Sequence, residues 1–365
     1  MKKAVELRHK LHMNPETALQ EYETTALLEE EIGKIPGIII HKPFDTGLIA
    51  EYKANDGKYL LFRGDIDALN MREKTGCDFA SKNENMHACG HDVHTSTLFG
   101  FLKEVAECKP EKNILFFFQP AEEGAGGADL TIRTGFFDRY DIEHAFALHV
   151  TDEYAFGTIA FNDGVLFASA MELTINFNGK PTHVATPEKG KNALNAMRTF
   201  LDMAEKVPHS INEPLLLCVG RVKAGEVRNI IPEKACIEGS IRSLNMEQSR
   251  AYFNQLKQIG RSIEEATGVT VDVRMEAFYP EVRNDPELYD KLYTPLSDRF
   301  ATKVIPYKMT GEDFGFFTKM YPSMMFWLGT SKGETHGLHS PYFLPSDDTI
   351  PLGVDIFTEI LKQFL

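Results

Sequence analysis

Three short and nearly continuous apolar runs set the possible folds of this chain. They are KYLLF (58–62), NILFFF (113–118) and HAFALHV (144–150). Strands are apolar along their whole length when helices cover both faces of a parallel sheet. Residues 20–34 and 92–107 have helical spacing, and strand alternating with helix is typical of an α/β layer. We therefore predict a catalytic domain with a mainly parallel sheet flanked by helices.

The middle of the chain follows another pattern. MELTINFN (171–178) alternates like a strand with one solvated face, and the segments after it read as helix, strand, strand, helix and strand (191–206, 215–222, 234–244, 246–266 and 269–275). The order β-α-β-β-α-β is that of a ferredoxin-like unit. The α/β pattern then returns, with a helix near 286–299, an apolar run at 324–329 and a closing helix near 347–364.

This interruption predicts two domains, as does a length of 365 residues. The first comprises residues 1–170 and 284–365, and the second is an inserted α+β domain at 171–283.

Composition excludes two classes of partner. The formal net charge is −14, and the sequence contains no block of lysine or arginine. The protein is therefore not expected to bind nucleic acid or anionic membrane surfaces. The five cysteines are scattered and odd in number, which favours a reducing compartment. The first residues are charged and lack the apolar core of a signal peptide. We expect a cytoplasmic protein without a membrane span.

Four separated stretches supply metal-type ligands. They are MHACGHDVH (86–94), FQPAEEGAGG (118–127), ALHV (147–150) and GLHSP (337–341). Three of them stand at the ends of predicted strands, where open α/β sheets form their sites. The thiol, imidazole and carboxylate donors suit zinc or another first-row transition metal, and they are Cys89, His91, Glu123, His149 and His339.

Each of these residues also has a plain structural reading. A histidine such as His149 is more often a satisfied core residue than a ligand, and a cysteine such as Cys89 often packs as a small hydrophobe. Glu122 and Glu123 could form a solvated turn. A cysteine hydrolase, with Cys89 as nucleophile and His91 or His94 as base, is a further alternative. Residue types alone leave these alternatives open.

The motifs, taken in order, resemble the amidohydrolases of the aminoacylase, hippurate hydrolase and indole-acetyl-amino-acid hydrolase group, which are relatives of the dinuclear zinc peptidases. The resemblance covers nearly the whole chain. Besides the four donor stretches it includes RHKLHMNPE (8–16), RGDIDAL (63–69), GTIA (157–160), NIIPEKACIEGSIR (229–242) and MTGEDF (309–314).

The resemblance implies a role for each motif residue. Cys89 would bridge two divalent metal ions (zinc, manganese, cobalt or nickel), and His91, Glu123, His149 and His339 would complete the ligand set. Glu122 would be the general base, with Asp67 and Asp65 orienting the ligands. His183 would polarise the scissile carbonyl, and Asn229 and Arg242 would bind the substrate. The inserted domain would be a lid and dimerisation domain, because this histidine reaches a neighbouring subunit's site in the family; a homodimer is expected.

Within this group, FALHVTDEYAFGTIAFNDGVLFAS (146–169) and MTGEDFGFFTKMYPSMMFWLG (309–329) are most similar to N-acetyldiaminopimelate deacetylases of bacterial lysine biosynthesis. The expected reaction converts N-acetyl-LL-diaminopimelate to LL-diaminopimelate and acetate. Two other functions stay open: a broad N-acyl-amino-acid or hippurate-type amidohydrolase, and a catalytically silent metal-binding module.

Overall fold

A computed structural model describes residues 1–207 and 214–365. The helices are α1 Lys2–Met13, α2 Tyr22–Gly33, α3 His91–Cys108, α4 Gly127–Arg133, α5 Ala193–Ala204, α6 Met246–Thr267, α7 Pro286–Arg299, α8 Gly315–Met320 and α9 Thr349–Lys362. Within the described ranges, no helix combines the length and apolar character that crossing a membrane requires.

The strands follow the same chain order. They are β1 Ile38–His41, β2 Leu48–Tyr52, β3 Tyr59–Asp65, β4 Asn113–Gln119, β5 Ile142–Ala155, β6 Thr158–Phe161, β7 Val165–Phe167, β8 Ser169–Asn178, β9 Leu215–Ala224, β10 Lys234–Ser243, β11 Thr270–Tyr279, β12 Val282–Arg283, β13 Ala301–Val304 and β14 Ser323–Ser331.

The chain divides into two compact units. Unit 1 contains residues 1–166, 282–307 and 313–365, and unit 2 contains residues 167–281 and 308–312. The structural division thus falls a few residues before the sequence-based boundaries, and it adds the short segment 308–312 to the second unit.

Unit 1 is built on a mixed sheet with the strand order β1-β2-β4-β3-β5-β14-β6-β13. Its centre, β4-β3-β5-β14, is parallel throughout, which confirms the predicted fold class. Every residue of β3 and β4 is buried, because the apolar faces of helices such as α3 and α9 pack into the same core. Strands β1 and β2, which pair antiparallel, and β6, which is antiparallel to β14 and parallel to β13, were not predicted.

Strand register brings the predicted site together at one edge of this sheet. Asp65 at the end of β3 is level with Gln119 at the end of β4. Arg63 pairs with Ala147 of β5, so His149 lies level with Asp65, two residues further on. The carboxyl ends of three neighbouring parallel strands therefore present their side chains side by side.

Unit 2 has the four-stranded order β11-β8-β10-β9, in which all three pairings are antiparallel. This is the arrangement expected of the predicted β-α-β-β-α-β succession. Helices α5 and α6 cover one face, with the inward side chains of β8 and β10 forming the core between them. The edge strand β9 exposes apolar side chains, including Leu216 and Val222.

Candidate metal centre

Cys89 and His91 flank a glycine that lets the chain turn tightly against β5. Gly90 has φ +84°, and a Cβ at this position would lie 2.4 Å from Cγ2 of Val150. Only glycine adopts this left-handed conformation at such a close approach without strain. The turn leads directly into α3, whose first residue is His91. The sequence Cys-Gly-His thus sets two donors at one helix start.

The five predicted donors form two groups that share Cys89. Its Sγ groups with ring nitrogens of His91 and His149, and also with donor atoms of Glu123 and His339; within each group the ligand atoms lie within 4.8 Å of one another. Sγ is 3.4 Å from Nε2 of His149, and Nε2 of His339 is 3.1 Å from Oε1 of Glu123.

The two buried histidines have their ring orientation fixed by their Nδ1 atoms. Nδ1 of His91 lies 3.0 Å from the carbonyl oxygen of Asp67 and 3.2 Å from its Oδ1. Nδ1 of His149 lies 2.8 Å from the carbonyl oxygen of Val150. Since carbonyl oxygens only accept, both Nδ1 atoms donate, and in each ring Nε2 is the atom that can coordinate a metal once it carries no proton.

The residues at this site fit a metal centre by their chemistry. Nε2 of His91 is buried and has no hydrogen-bond partner in the described chain, a costly state for a polar atom unless another ligand satisfies it. Mixed thiolate, imidazole and carboxylate donors are those of zinc and its neighbours. Because the donors come from four separate elements, the site resembles an open catalytic centre more than a closed structural one.

Glu122 and Glu123 follow β4 on a short loop, and the structure brings both to the cluster, where they group with His91. Glu122 is 7% exposed, and its Oε2 lies 4.0 Å from Nε2 of His91. Two backbone N–H groups fix the loop: that of Ala121 donates to Glu21 at 2.8 Å, and that of Glu123 donates to Oδ2 of Asp67 at 2.9 Å. Asp67 therefore orients both a histidine and a glutamate of the cluster.

His339 reaches the cluster from a loop after β14. It adopts φ +61°, and its backbone N–H donates to the carbonyl of Ala88 at 2.9 Å. Oδ2 of Asp152 accepts from the backbone N–H groups of His336 and Gly337. The Asp152 contact, which the sequence analysis missed, anchors this loop to β5.

His94 is next to the cluster but is engaged elsewhere. Its Nδ1 lies 2.6 Å from Oδ1 of Asp65, and its Nε2 accepts from the backbone N–H of Val150 at 2.9 Å. With both ring nitrogens bonded, His94 supports the strand that carries His149 and has no lone pair left for a metal.

Burial disfavours Cys89 as a nucleophile, because it raises the pKa of the Cys89 thiol, whereas a cysteine nucleophile needs a lowered one. The histidines shift in different directions. Burial lowers the pKa of His149 well below its usual value; it also acts to lower the pKa of His91, but Asp65 and Cys89 raise that pKa well above its usual value. Hydrogen bonds to Cys89 and Glu123 raise the pKa of His339 to about 10, so the donors hold protons that a metal would displace.

The remaining predicted site residues belong to unit 2. His183 and Asn229 are exposed on adjacent segments, where the N–H of Val184 donates to the carbonyl of Asn229 at 3.1 Å. The structure thus brings these two together. Arg242 of β10 forms an ion pair with Glu172 at 3.0 Å, and a Cβ on Gly311 would lie 2.6 Å from its Nη1.

A mainly parallel α/β sheet with an open cluster of thiol, imidazole and carboxylate donors at its carboxyl edge defines a class of metal-dependent enzymes. The chain belongs to peptidase family M20/M25/M40, whose family model matches residues 61–363. It is a metal-binding hydrolase that acts on amide bonds.

Individual relatives agree with this family. The chain is 35% identical to an N-acetyldiaminopimelate deacetylase of Listeria innocua over 98% of both chains. It is 34% identical to one of Exiguobacterium sibiricum over the full length of both. A dinuclear metal-binding M20 peptidase of Bacillus subtilis superposes with a TM-score of 0.83 at 27% identity, covering 98% of this chain and 96% of that one. The donor groups and this neighbour together support two divalent metal ions.

Proposed function

We propose that this protein hydrolyses the amide bond of an N-acyl amino acid with two divalent metal ions, and that its substrate is N-acetyl-LL-diaminopimelate. The products are LL-diaminopimelate and acetate. The observation that carries the proposal is the pair of donor groups sharing Cys89, with Glu122 beside them.

In this proposal Cys89, His91, Glu123, His149 and His339 would hold the two metal ions, and Cys89 belongs to both donor groups. Bound divalent ions supply Lewis-acid activation of water and of the amide carbonyl. Asp67 orients the ligand His91. Asp65 orients His94, which supports the strand that carries His149.

Glu122 is the proposed general base. Its carboxylate is nearly buried and lies at the cluster without belonging to either of the two donor groups that share Cys89. It takes the proton from the attacking water and delivers it to the leaving amine, the transfer that amide hydrolysis needs. Its neighbour Glu123 faces His339, so adjacent glutamates divide into base and ligand.

Three residues of unit 2 are proposed to act on the substrate. His183 donates to the scissile carbonyl oxygen as negative charge develops there. Asn229 supports the same carbonyl, and Arg242 binds the substrate carboxylate, for which its planar fork is suited. To do so Arg242 must exchange its partner Glu172, whose side chain is 48% exposed.

The choice of substrate draws on the relatives. Those of Listeria innocua and Exiguobacterium sibiricum bear the name N-acetyldiaminopimelate deacetylase and match essentially their whole length. A place in lysine biosynthesis, in the cytoplasm, follows from that substrate. The alternative is a broader N-acyl-amino-acid or hippurate-type hydrolase with the same centre.

We also propose that the protein is a homodimer formed through unit 2. Among the described residues, strand β9 lies at the edge of the four-stranded sheet with no strand on its outer side, and its exposed apolar side chains include Leu216, Val219 and Val222. Such an edge favours pairing with another strand unless charge or a bulge blocks it.

The test is amine release by metal-depleted protein after zinc, manganese or cobalt is added. N-acetyl-diaminopimelate is compared with hippurate and N-acetyl-methionine, with and without a chelator. Strong preference for the first, abolished by the chelator, is the expected result. Equal rates on all three would replace the deacetylase with the broader hydrolase, and no metal-dependent release from any would leave a silent metal-binding module.

A further inference from the structure

A buried polar network lies beneath the loop that carries Glu122 and Glu123. It consists of Arg63 on β3, Asp65 at the end of β3, Gln119 at the end of β4, and Asp313 just before α8. All four side chains are at most 1% exposed. None belongs to the proposed ligand set or touches the substrate in the mechanism above.

Asp313 contacts both ends of the glutamate loop. Each of its carboxylate oxygens accepts from Nε2 of Gln119 at 2.8 Å, and Gln119 is the last residue before the loop. Oδ2 of Asp313 also accepts from the backbone N–H of Ala128, in the first turn of α4, at 3.0 Å. One carboxylate therefore joins the residues where the loop begins and ends.

The loop itself is tightly folded and needs this support. Ala121, Gly124 and Gly126 all have positive φ, at 55°, 88° and 69°. A Cβ on Gly127 would lie 1.7 Å from the carbonyl oxygen of Pro120, so the two ends of the loop touch. A left-handed alanine persists only where surrounding contacts hold it.

Arg63 connects Asp313 and Gln119 to the rest of the site. Its Nη2 donates to Asp313 at 2.9 Å, its Nε to Oε1 of Gln119 at 2.8 Å, and its Nη1 to Asp65 at 2.6 Å. Asp65 in turn accepts from His94, which supports the backbone of β5 beside His149. A single guanidinium thus links the glutamate loop to the strand that carries the proposed histidine ligand.

We infer that Asp313, held by Arg63, is a positioning residue for the hydrolytic reaction: it clamps both ends of the 120–126 loop and so sets where Glu122 meets the substrate. The inference rests on the proposed function for the role of Glu122. Removing one partner of a buried ion pair also costs stability, so stability and positioning have to be measured separately. A base displaced by about 1 Å can lose about 100-fold in rate.

The test compares Asp313→Asn with Glu359→Gln. Asp313→Asn keeps the side-chain shape but turns one acceptor into a donor, which must then face a donor of Gln119, Arg63 or Ala128. Glu359 of α9 is also a nearly buried acid, but its partner Arg299 of α7 is 45% exposed, so its substitution reports the effect of removing a carboxylate elsewhere in unit 1.

Two measurements separate positioning from stability. In the metal-free protein, we expect amide hydrogen exchange in residues 119–128 to speed up in Asp313→Asn and to stay unchanged in Glu359→Gln. In the metal-loaded protein, Asp313→Asn should lower kcat about 10- to 100-fold. Its KM should stay within about twofold of wild type, because ground-state binding is untouched. Adding Gln119→Glu, which restores a donor–acceptor match across the pair, should recover part of kcat.

Wild-type exchange in residues 119–128 together with wild-type kcat in Asp313→Asn would overturn the inference. So would a loss of kcat equal to that of Glu359→Gln at the same loss of stability. If wild-type protein hydrolyses no N-acyl amino acid, the proposed function fails instead, while the exchange experiment still tests the clamp.

Discussion

Glu122 and Glu123 are adjacent glutamates for which the structure predicts opposite results on substitution. Oε1 of Glu123 lies 3.1 Å from Nε2 of His339 and groups with Cys89, so Glu123→Gln should remove a metal ligand. Glu122 has its carboxylate at the edge of the cluster, 4.0 Å from Nε2 of His91. Glu122→Gln should leave metal binding intact and remove the proton acceptor.

The expected magnitudes follow from these roles. A positioned general base contributes about 10²- to 10⁴-fold in rate, or about 3–5 kcal/mol of barrier, so Glu122→Gln should lower kcat by that factor at unchanged KM. Loss of an outer partner of a metal ligand costs about 10- to 100-fold in metal affinity, and Glu123→Gln, which removes a direct donor, should cost at least as much.

The assay measures metal content and kcat on the same preparations. Each variant is depleted, dialysed against limiting zinc and analysed for bound metal before amine release is followed. The mechanism is refuted if Glu122→Gln binds two equivalents and hydrolyses as fast as wild type. It also fails if Glu123→Gln keeps both metal ions, because Glu123 would then not be a ligand in the group that it forms with Cys89 and His339.

Three further predictions concern the pH dependence of metal binding, the stability contribution of a buried histidine and the proposed dimer. Metal affinity should rise with pH up to about pH 10, because burial raises the pKa of Cys89 and hydrogen bonds raise the pKa of His339 to about 10; calorimetry in two buffers should detect the released protons. Burial acts to lower the pKa of His12, but two flanking carboxylates raise it to about 10, so its stabilisation is complete below pH 6.5 and is lost as the pH rises through 10. His12→Gln should therefore cost about 3–5 kcal/mol in urea unfolding near neutral pH, and a penalty that does not shrink toward pH 10 would contradict this. Val222→Lys should dissociate the proposed dimer in light scattering while Tyr22→Lys, an equally exposed change on α2, should not.

The sequence was most informative where a pattern is local. The apolar runs at 58–62 and 113–118 became β3 and β4, and the helical spacing at 92–107 became α3. Helix α1 was not predicted, because its buried face includes two polar residues, Arg8 and His12, which interrupt the apolar pattern. Strands β1, β2 and β6 were also missed, since short strands are recognised mainly by partners that lie elsewhere in the chain.

The same distinction applies to the site. The motif stretches predicted the donors, because a cysteine and histidine two residues apart, or two adjacent glutamates past a strand, are visible in the sequence. Which nitrogen of His149 is available depends on the backbone of Val150, and the anchoring of His339 depends on Asp152, whose side chain accepts from residues 184 and 185 positions later. No short-range pattern contains that information.

Asp313 is the clearest case of a role that only the fold reveals. In the sequence it stands in MTGEDF, 185 residues after Ala128 and 250 after Arg63, and nothing nearby indicates a partner. Its burial is informative, because a carboxylate removed from water must be matched by donors. The donors that face it include Gln119 and Ala128 at the two ends of the glutamate loop and the guanidinium of Arg63. Those donors lie on elements that also carry the proposed base and ligands. The hydrogen bonds that satisfy the buried carboxylate of Asp313 therefore also fix the position of the site residues.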